Sequence, residues 1–391
     1  MIYLNEALQI VLSSARLLAT ERVDIGQALN RILAEDIISD IDMPPFDKAV
    51  FDGYACRRSD LANALTIVET ISAGVSPTKT IGFNQCAKIM TGAAVPQGAD
   101  CVIMVEQTKN VGQHNIVFRG KQTPDNICRK GMDIKIGEVV LKKGARIRPQ
   151  HIAVAASVGL IQPLVAKKPK VAIVATGDEL VEPALMPGTS QIRNSNSLQL
   201  AAQLESVGVS VRDYGIVRDV ATDIDRVIKT AAADNDVVIV SGGVSVGDSD
   251  LVPGILKKNN VKLLFEKIAV QPGKPTAFGL SDKVYFWGLP GNPVSTYVVF
   301  ELLVKPFLYK LMGCDYSPIS VQMPVDETIV RKNTEKQSWI PVNVTKRGTV
   351  KPVEYHGSAH ILALCNADGL IGIGIGAANI EKGAMVSVIL I

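Results

Sequence analysis

The sequence carries almost no net charge. Its 41 basic and 38 acidic residues leave a formal +3 over 391 residues. Such a balance gives no electrostatic reason for a nucleic-acid or membrane partner, although a small anionic substrate needs only local charge. No uninterrupted apolar run reaches the ~18 residues of a membrane helix, so no span is expected. The opening MIYLNEALQIVLSSARLLATE has an early acidic residue and no basic leader, and it reads as an amphipathic helix rather than a signal peptide. Six cysteines are scattered without a CxxC pair. That argues against a zinc ribbon and for reduced thiols, each a small buried hydrophobe, in a cytoplasmic protein. There are only four histidines, none near a glycine-rich motif. No Ser-His-Asp arrangement appears, which disfavours acyl transfer.

What is present is ordinary for a globular chain: 47% hydrophobic and 20% charged residues. The length suggests two or three domains, or more if some are small. Apolar positions Leu8, Val11, Leu12 and Ala15 predict a helix over Asn5–Arg16, with Asn5 as N-cap. A second helix is expected over Ile25–Ala34. Prolines 44 and 45 then force extended chain. Beyond them, the runs 65–68, 101–105 and 115–118 alternate with Gly, Pro and Asn and predict a β-rich insertion. A helical pattern returns over Ile147–Val158. The segments on either side of the insertion are expected to form one discontinuous helical domain.

From Lys168, short apolar strands alternate with helices. Strands are expected at 171–174, 209–216, 237–240, 262–270 and 284–287. Helices are expected at 198–207, 224–232, 251–258 and 293 to about 311. This alternation predicts a parallel, doubly wound α/β domain. After Gly313 and Pro318 the pattern becomes strand-like and predicts a small β-barrel or sandwich. The expected division is 1–45 with 138–166, 46–137, 167–313 and 314–391.

In open α/β sheets, ligands bind beyond the C-terminal ends of the strands. Three glycine-rich turns follow strands there: Thr176-Gly177-Asp178-Glu179, Ser241-Gly242-Gly243 with Ser245 and Gly247, and Pro290-Gly291-Asn292-Pro293 with Ser295. Backbone N–H groups in such turns suit an anion such as phosphate. The same strand ends carry Asp178, Glu179, Asp219 and Asp250. Carboxylates beside phosphate call for a divalent cation, Mg²⁺ by preference, although Asp also serves as a helix N-cap. Lys267, Lys274 and Arg218 supply positive charge, with Lys274 in the stiff run Gln271-Pro-Gly-Lys-Pro275.

These motifs resemble the molybdopterin molybdenumtransferase family, to which the E domain of gephyrin belongs. The resemblance extends over nearly the whole chain. It includes Pro45-Phe-Asp47, Asp52-Gly-Tyr-Ala55, Met90-Thr-Gly-Ala93, Pro96-Gln-Gly-Ala-Asp100 and Arg129–Asp133, besides the turns above. It implies an elongated homodimer with dimerisation through the discontinuous domain, and other molybdenum cofactor biosynthesis proteins as candidate partners. It implies insertion of molybdate into adenylylated molybdopterin with release of AMP, aided by a divalent metal. By motif position, Glu179, Asp219 and Asp250 take metal and catalytic roles. Asp52 and Thr91 complete the site from the other subunit. Molybdate falls near Lys274, Pro275, Ser295 and Ser358. Three departures stand out: Ala49 where relatives carry a hydroxyl, Gln271 where most have Lys, and Lys336 where many have Arg. The rival readings are the molybdopterin adenylyltransferase of the preceding step and a non-catalytic scaffold. The first is disfavoured by Ser241-Gly-Gly-Val-Ser245, by the insertion and by the C-terminal β region. The second is disfavoured by the retained carboxylates.

Overall fold

The computed structural model describes residues 1–244 and 251–391. Helix α1 spans Leu4–Ser14, with Tyr3 rather than Asn5 at the N-cap position. Its buried positions Leu4, Ala7 and Val11 follow the 3/4 spacing of a helix stripe. The helix expected over Ile25–Ala34 does not form. A 3₁₀ turn, Ile25–Gln27, is followed by extended chain in which Ile32 bridges Arg146 and Leu33 bridges Val165. Ile32 and Leu33 pack into different cores, as adjacent residues of an extended chain do.

The segments flanking the insertion share one core of Ala28, Leu33, Ile37, Ile147, Ala155, Val158 and Val165. They are less helical than expected. Thr20–Arg22 pairs with Leu164–Ala166 and Ile37–Ile38 with Val139–Leu141, and α2 (Pro149–Ser157) is the helix beside them.

The insertion is a six-stranded sheet in the spatial order Cys101–Met104, Gly53–Cys56, Gln85–Ile89, Ala64–Ile71, Asn115–Phe118, Thr108–Asn110. Both faces are packed: Ala55, Ala87 and Val102 on one, Tyr54, Cys56, Cys86, Cys101 and Ile103 on the other. Of the six thiols, only Cys56, Cys86 and Cys101 are fully buried, and Cys365 is exposed, contrary to expectation.

The central sheet contains β1 (Lys170–Thr176), β2 (Ser210–Val217), β3 (Val237–Ser241), β4 (Lys262–Phe265), β5 (Ala277–Leu280) and β6 (Tyr285–Leu289). Their order is β2-β1-β3-β6-β5-β4. The first three pairings are parallel and the last two antiparallel, so the sheet is mixed rather than all parallel. The turn from β5 to β6 is too short for a crossover helix, and a hairpin results.

Alternate residues of β1 and β3 face opposite layers. Val171, Ile173, Val237 and Ile239 meet α3 (Asn196–Val207) and the helical stretch that begins at Pro293. Ala172, Val174, Val238 and Val240 meet α4 (Ala221–Asp234) and α5 (Val252–Lys258). This is the doubly wound layering. The expected long helix comprises α6 (Pro293–Val299), a π turn (Phe300–Val304) and α7 (Lys305–Leu311). The π turn ends two residues before Pro306, which offers no N–H for a regular ladder.

Instead of one strand over 262–270, β4 ends at Phe265. Val270 and Gln271 then pair in parallel with Gln337 and Ser338 of the C-terminal β region. That region contains β7 (Ser320–Pro324), β8 (Gln337–Val344), β9 (Val350–Pro352), β10 (Gly369–Ile373) and β11 (Met385–Leu390). Pairings run β9-β8-β10-β11-β7, and a Val325–Val350 bridge joins the ends into a small barrel. Its core is Val325, Val342, Val350, Ile371 and Val388. No helix among the described residues is long and apolar enough to cross a membrane.

Candidate active site

The C-terminal ends of β1, β3 and β6 open into one cleft of about 560 Å³. Its floor is Thr176, Ser241, Gly242, Gly243 and the Pro290–Pro293 turn, and Glu179 and Asp219 reach it from the β1 turn and the end of β2. The turns approach closely. At Gly242 φ is +100°, and a Cβ there would lie 2.2 Å from the Thr176 carbonyl oxygen. Only glycine fits this backbone. The Thr176 hydroxyl donates to the Asp219 carboxylate, and the Asp219 N–H donates to Asp178 Oδ1 at 3.3 Å.

A second cavity, of about 370 Å³, lies next to the first. The two share Pro275, Pro290 and Asn292 as walls. Gln271, Lys274, Ser295, Lys336 and Ser358 line this second cavity. The parallel pairing of Val270–Gln271 with β8 brings the Lys336 end of the barrel to the glycine-proline loop. Asn292 Nδ2 donates to Ser358 Oγ at 2.9 Å, and the Val294 N–H donates to the Ser358 carbonyl at 3.1 Å. The last strand-end turn is thereby tied to the C-terminal region.

Of the expected site residues, the larger cleft gathers Thr176, Glu179, Asp219, Ser241, Gly242, Gly243, Pro290, Gly291, Asn292 and Pro293. The smaller holds Gln271, Lys274, Ser295, Lys336 and Ser358, with Pro275 common to both. Gly177 and Asp178 belong to the β1 turn without lining either cavity. Lys267 lies apart, its carbonyl accepting the N–H of Ile2. Asp52 and Thr91 lie on the insertion and bond to each other, lining neither cavity. Ser245, Gly247 and Asp250 lie outside the described residues.

Several lining residues were not anticipated: Arg193, Asn194 and Asn196 in the larger cleft, Ser338 and Tyr355 in the smaller. The polar run before α3 was the available signal for the first three. Burial pushes the Tyr355 hydroxyl up to about 12.

The cavities differ in charge. Glu179 and Asp219 face the larger one together with Arg193, and among the described residues no Lys or Arg lies within ion-pair distance of either carboxylate. The smaller carries two half-buried lysines, Lys274 and Lys336. No cluster of three or more metal-ligating side chains occurs among the described residues. Two unpaired carboxylates nevertheless fit Mg²⁺, which takes one or two carboxylates and completes its shell with water and phosphate oxygens.

Fold and site define a doubly wound α/β protein with its cleft at the strand ends, joined to a β-rich insertion and a small barrel. Residues 2–159 match the MoeA N-terminal region (domain I and II), residues 172–310 a probable molybdopterin binding domain, and residues 328–391 the MoeA C-terminal region (domain IV). The chain is 38% identical over 380 residues to the molybdopterin molybdenumtransferase of Staphylococcus epidermidis, covering 94% of this chain and 90% of that one. It is 34% identical to the Staphylococcus aureus enzyme of the same name over 396 residues, covering 99% and 94%. A crystal structure of the molybdopterin biosynthesis MoeA protein from Pyrococcus horikoshii OT3 superposes with a TM-score of 0.86 at 30% identity, over the full length of both chains. The chain belongs to the MoeA family of molybdopterin molybdenumtransferases.

Proposed function

We propose that the protein inserts molybdate into adenylylated molybdopterin, forming the molybdenum cofactor with release of AMP. The adjacency of two cavities of unlike charge carries this reading. One is floored by glycine-rich turns and carboxylates, the other walled by lysines, and Pro290 and Asn292 stand between them. The phosphate-bearing pterin belongs in the first, where backbone turns present N–H groups. Molybdate, the oxyanion substrate, belongs in the second, among Lys274, Lys336, Gln271, Ser295 and Ser358. Lys274 and Lys336 attract it by charge, and the hydroxyls and amide orient it.

Glu179 and Asp219, with Asp250, would hold Mg²⁺. That ion, when bound, would neutralise phosphate charge as the phosphoanhydride is cleaved. The Thr176 hydroxyl holds one Asp219 oxygen, which fixes the carboxylate's rotation toward the cleft.

The reading extends to a homodimer whose site is completed by Asp52 and Thr91 of the second subunit. It extends also to a four-part chain (1–45 with 138–166, 46–137, 167–313, 314–391), a cytoplasmic location and partners among other cofactor-biosynthesis proteins. Exposure of Phe46, Val50 and Phe51 beside Asp52 supports an interface there.

The test is turnover. With adenylylated molybdopterin and Mg²⁺, AMP should appear only when molybdate is added. In a parallel assay with molybdopterin and ATP, formation of adenylylated molybdopterin with release of pyrophosphate would identify an adenylyltransferase, and no reaction in either assay a scaffold.

A further inference from the structure

From the β1 turn into the first residue of α3 runs Arg193-Asn-Ser-Asn196, which the proposed chemistry does not use. Its backbone is fastened to the first strand-end turn. The Ile192 N–H donates to the Glu179 carbonyl at 2.8 Å, and the Asn194 N–H donates to the Val181 carbonyl at 2.9 Å. Its last side chain, Asn196, is 8% exposed. The Nδ2 group of Asn196 donates to Ser241 Oγ at 2.9 Å and to the Gly291 carbonyl at 2.8 Å. Ser241 ends β3, and Gly291 sits in the turn after β6. One short segment therefore fastens all three strand-end turns, and both amide hydrogens of Asn196 are committed to two of them.

A buried amide could simply satisfy buried neighbours. Here, however, the neighbours are the two turns that shape the cleft, and Gly291 is followed by Asn292, which walls both cavities. Without Asn196, the Gly291 carbonyl has lost this donor, and among the described residues the Ser241 hydroxyl keeps a long 3.5 Å contact to the Pro290 carbonyl. The turns would be free to shift relative to each other, disturbing both cavities together.

We infer that Asn196 is a positioning residue for the reaction, holding the Ser241 and Gly291 turns in register. This rests on the function proposed above for what the cavities bind. Two measurements on the full-length chain separate the two ideas. In the first, AMP and then molybdate are titrated into wild type, Asn196→Ala and Asn196→Asp. The aspartate keeps the size and can accept from Ser241, but sets an oxygen against the Gly291 carbonyl. Both variants should bind both probes about tenfold more weakly, the loss expected for one or two neutral hydrogen bonds. Weakening of one probe alone would reduce Asn196 to a local contact. In the second, amide exchange is followed at Gly242, whose N–H donates to the Leu289 carbonyl at 3.0 Å across the same two strand ends. Exchange should speed about tenfold in both folded variants, without any ligand. Wild type that binds neither probe overturns the functional reading. Unchanged Gly242 exchange in the variants overturns the positioning role.

Discussion

One oxygen of Asp52 accepts two hydrogen bonds from Thr91, from the backbone N–H at 2.7 Å and from the hydroxyl at 2.7 Å. Both residues are exposed at the ends of two adjacent inner strands of the insertion sheet, Gly53–Cys56 and Gln85–Ile89. The backbone N–H and then the hydroxyl hold the Asp52 carboxyl below the ordinary carboxylate range. A depressed carboxylate favours the native contact above its ordinary pKa and loses it as pH falls through the lowered value. Thr91→Val removes only the hydroxyl. The Asp52 titration, followed by carboxyl-carbon NMR, should move upward but stop short of the ordinary ~3.9. An unmoved titration would show that the hydroxyl contributes nothing.

The same pair tests the shared site. An inactive Asp52→Ala chain mixed with an inactive Asp219→Ala chain should recover part of the molybdate-dependent AMP release. Each mixed dimer then has one intact site. Exchange of subunits with no recovery would place Asp52 outside the site.

Gly242 and Gly254 should respond oppositely to alanine. At Gly242 the methyl would meet the Thr176 carbonyl oxygen at 2.2 Å on a φ of +100°, so Gly242→Ala should cost about 2–4 kcal/mol and distort the cleft. At Gly254, inside α5, nothing among the described residues lies within 4 Å of the new methyl. Gly254→Ala should stabilise by about 0.5–1 kcal/mol. Urea unfolding curves compare the two, and equal effects would contradict the strain at Gly242.

Gln271 stands in the smaller cavity beside Lys274 and Lys336. An amide donates hydrogen bonds but adds no net charge. Gln271→Lys should lower the molybdate concentration giving half-maximal rate, by about tenfold at low ionic strength and less at high. Repulsion from Lys274 in the empty cavity limits the gain. An unchanged or raised value for molybdate and tungstate alike would mean that Gln271 does not contact the oxyanion.

Much of this was legible because β1 and β3 are packed on both faces and therefore read as unbroken apolar runs. Once those strands were placed, the turns after them were the natural site. What stayed hidden has physical causes. β5 is four residues long and contains Gly279, too little pattern to announce a strand. Ile32 and Leu33 imitate a helical stripe, yet each enters a different core. Ser338 and Tyr355 reach the smaller cavity because Val270–Gln271 pairs with β8, a long-range register that no local pattern contains. The run at Arg193–Asn196 resembles a helix cap, and its bonds to Ser241 and Gly291 depend on strands far along the chain.

The division of labour between the cavities is tested most directly by a crossed titration. Half-saturating molybdate and Mg²⁺ are measured for wild type, Lys274→Met and Glu179→Gln. Lys274→Met should raise the molybdate value about tenfold or more and leave the Mg²⁺ value near wild type. Glu179→Gln should do the reverse, since a neutral amide replaces a charged ligand of a hard cation. If Lys274→Met moves the Mg²⁺ value while Glu179→Gln moves the molybdate value, the oxyanion and the metal-bound phosphates do not occupy the cavities assigned to them.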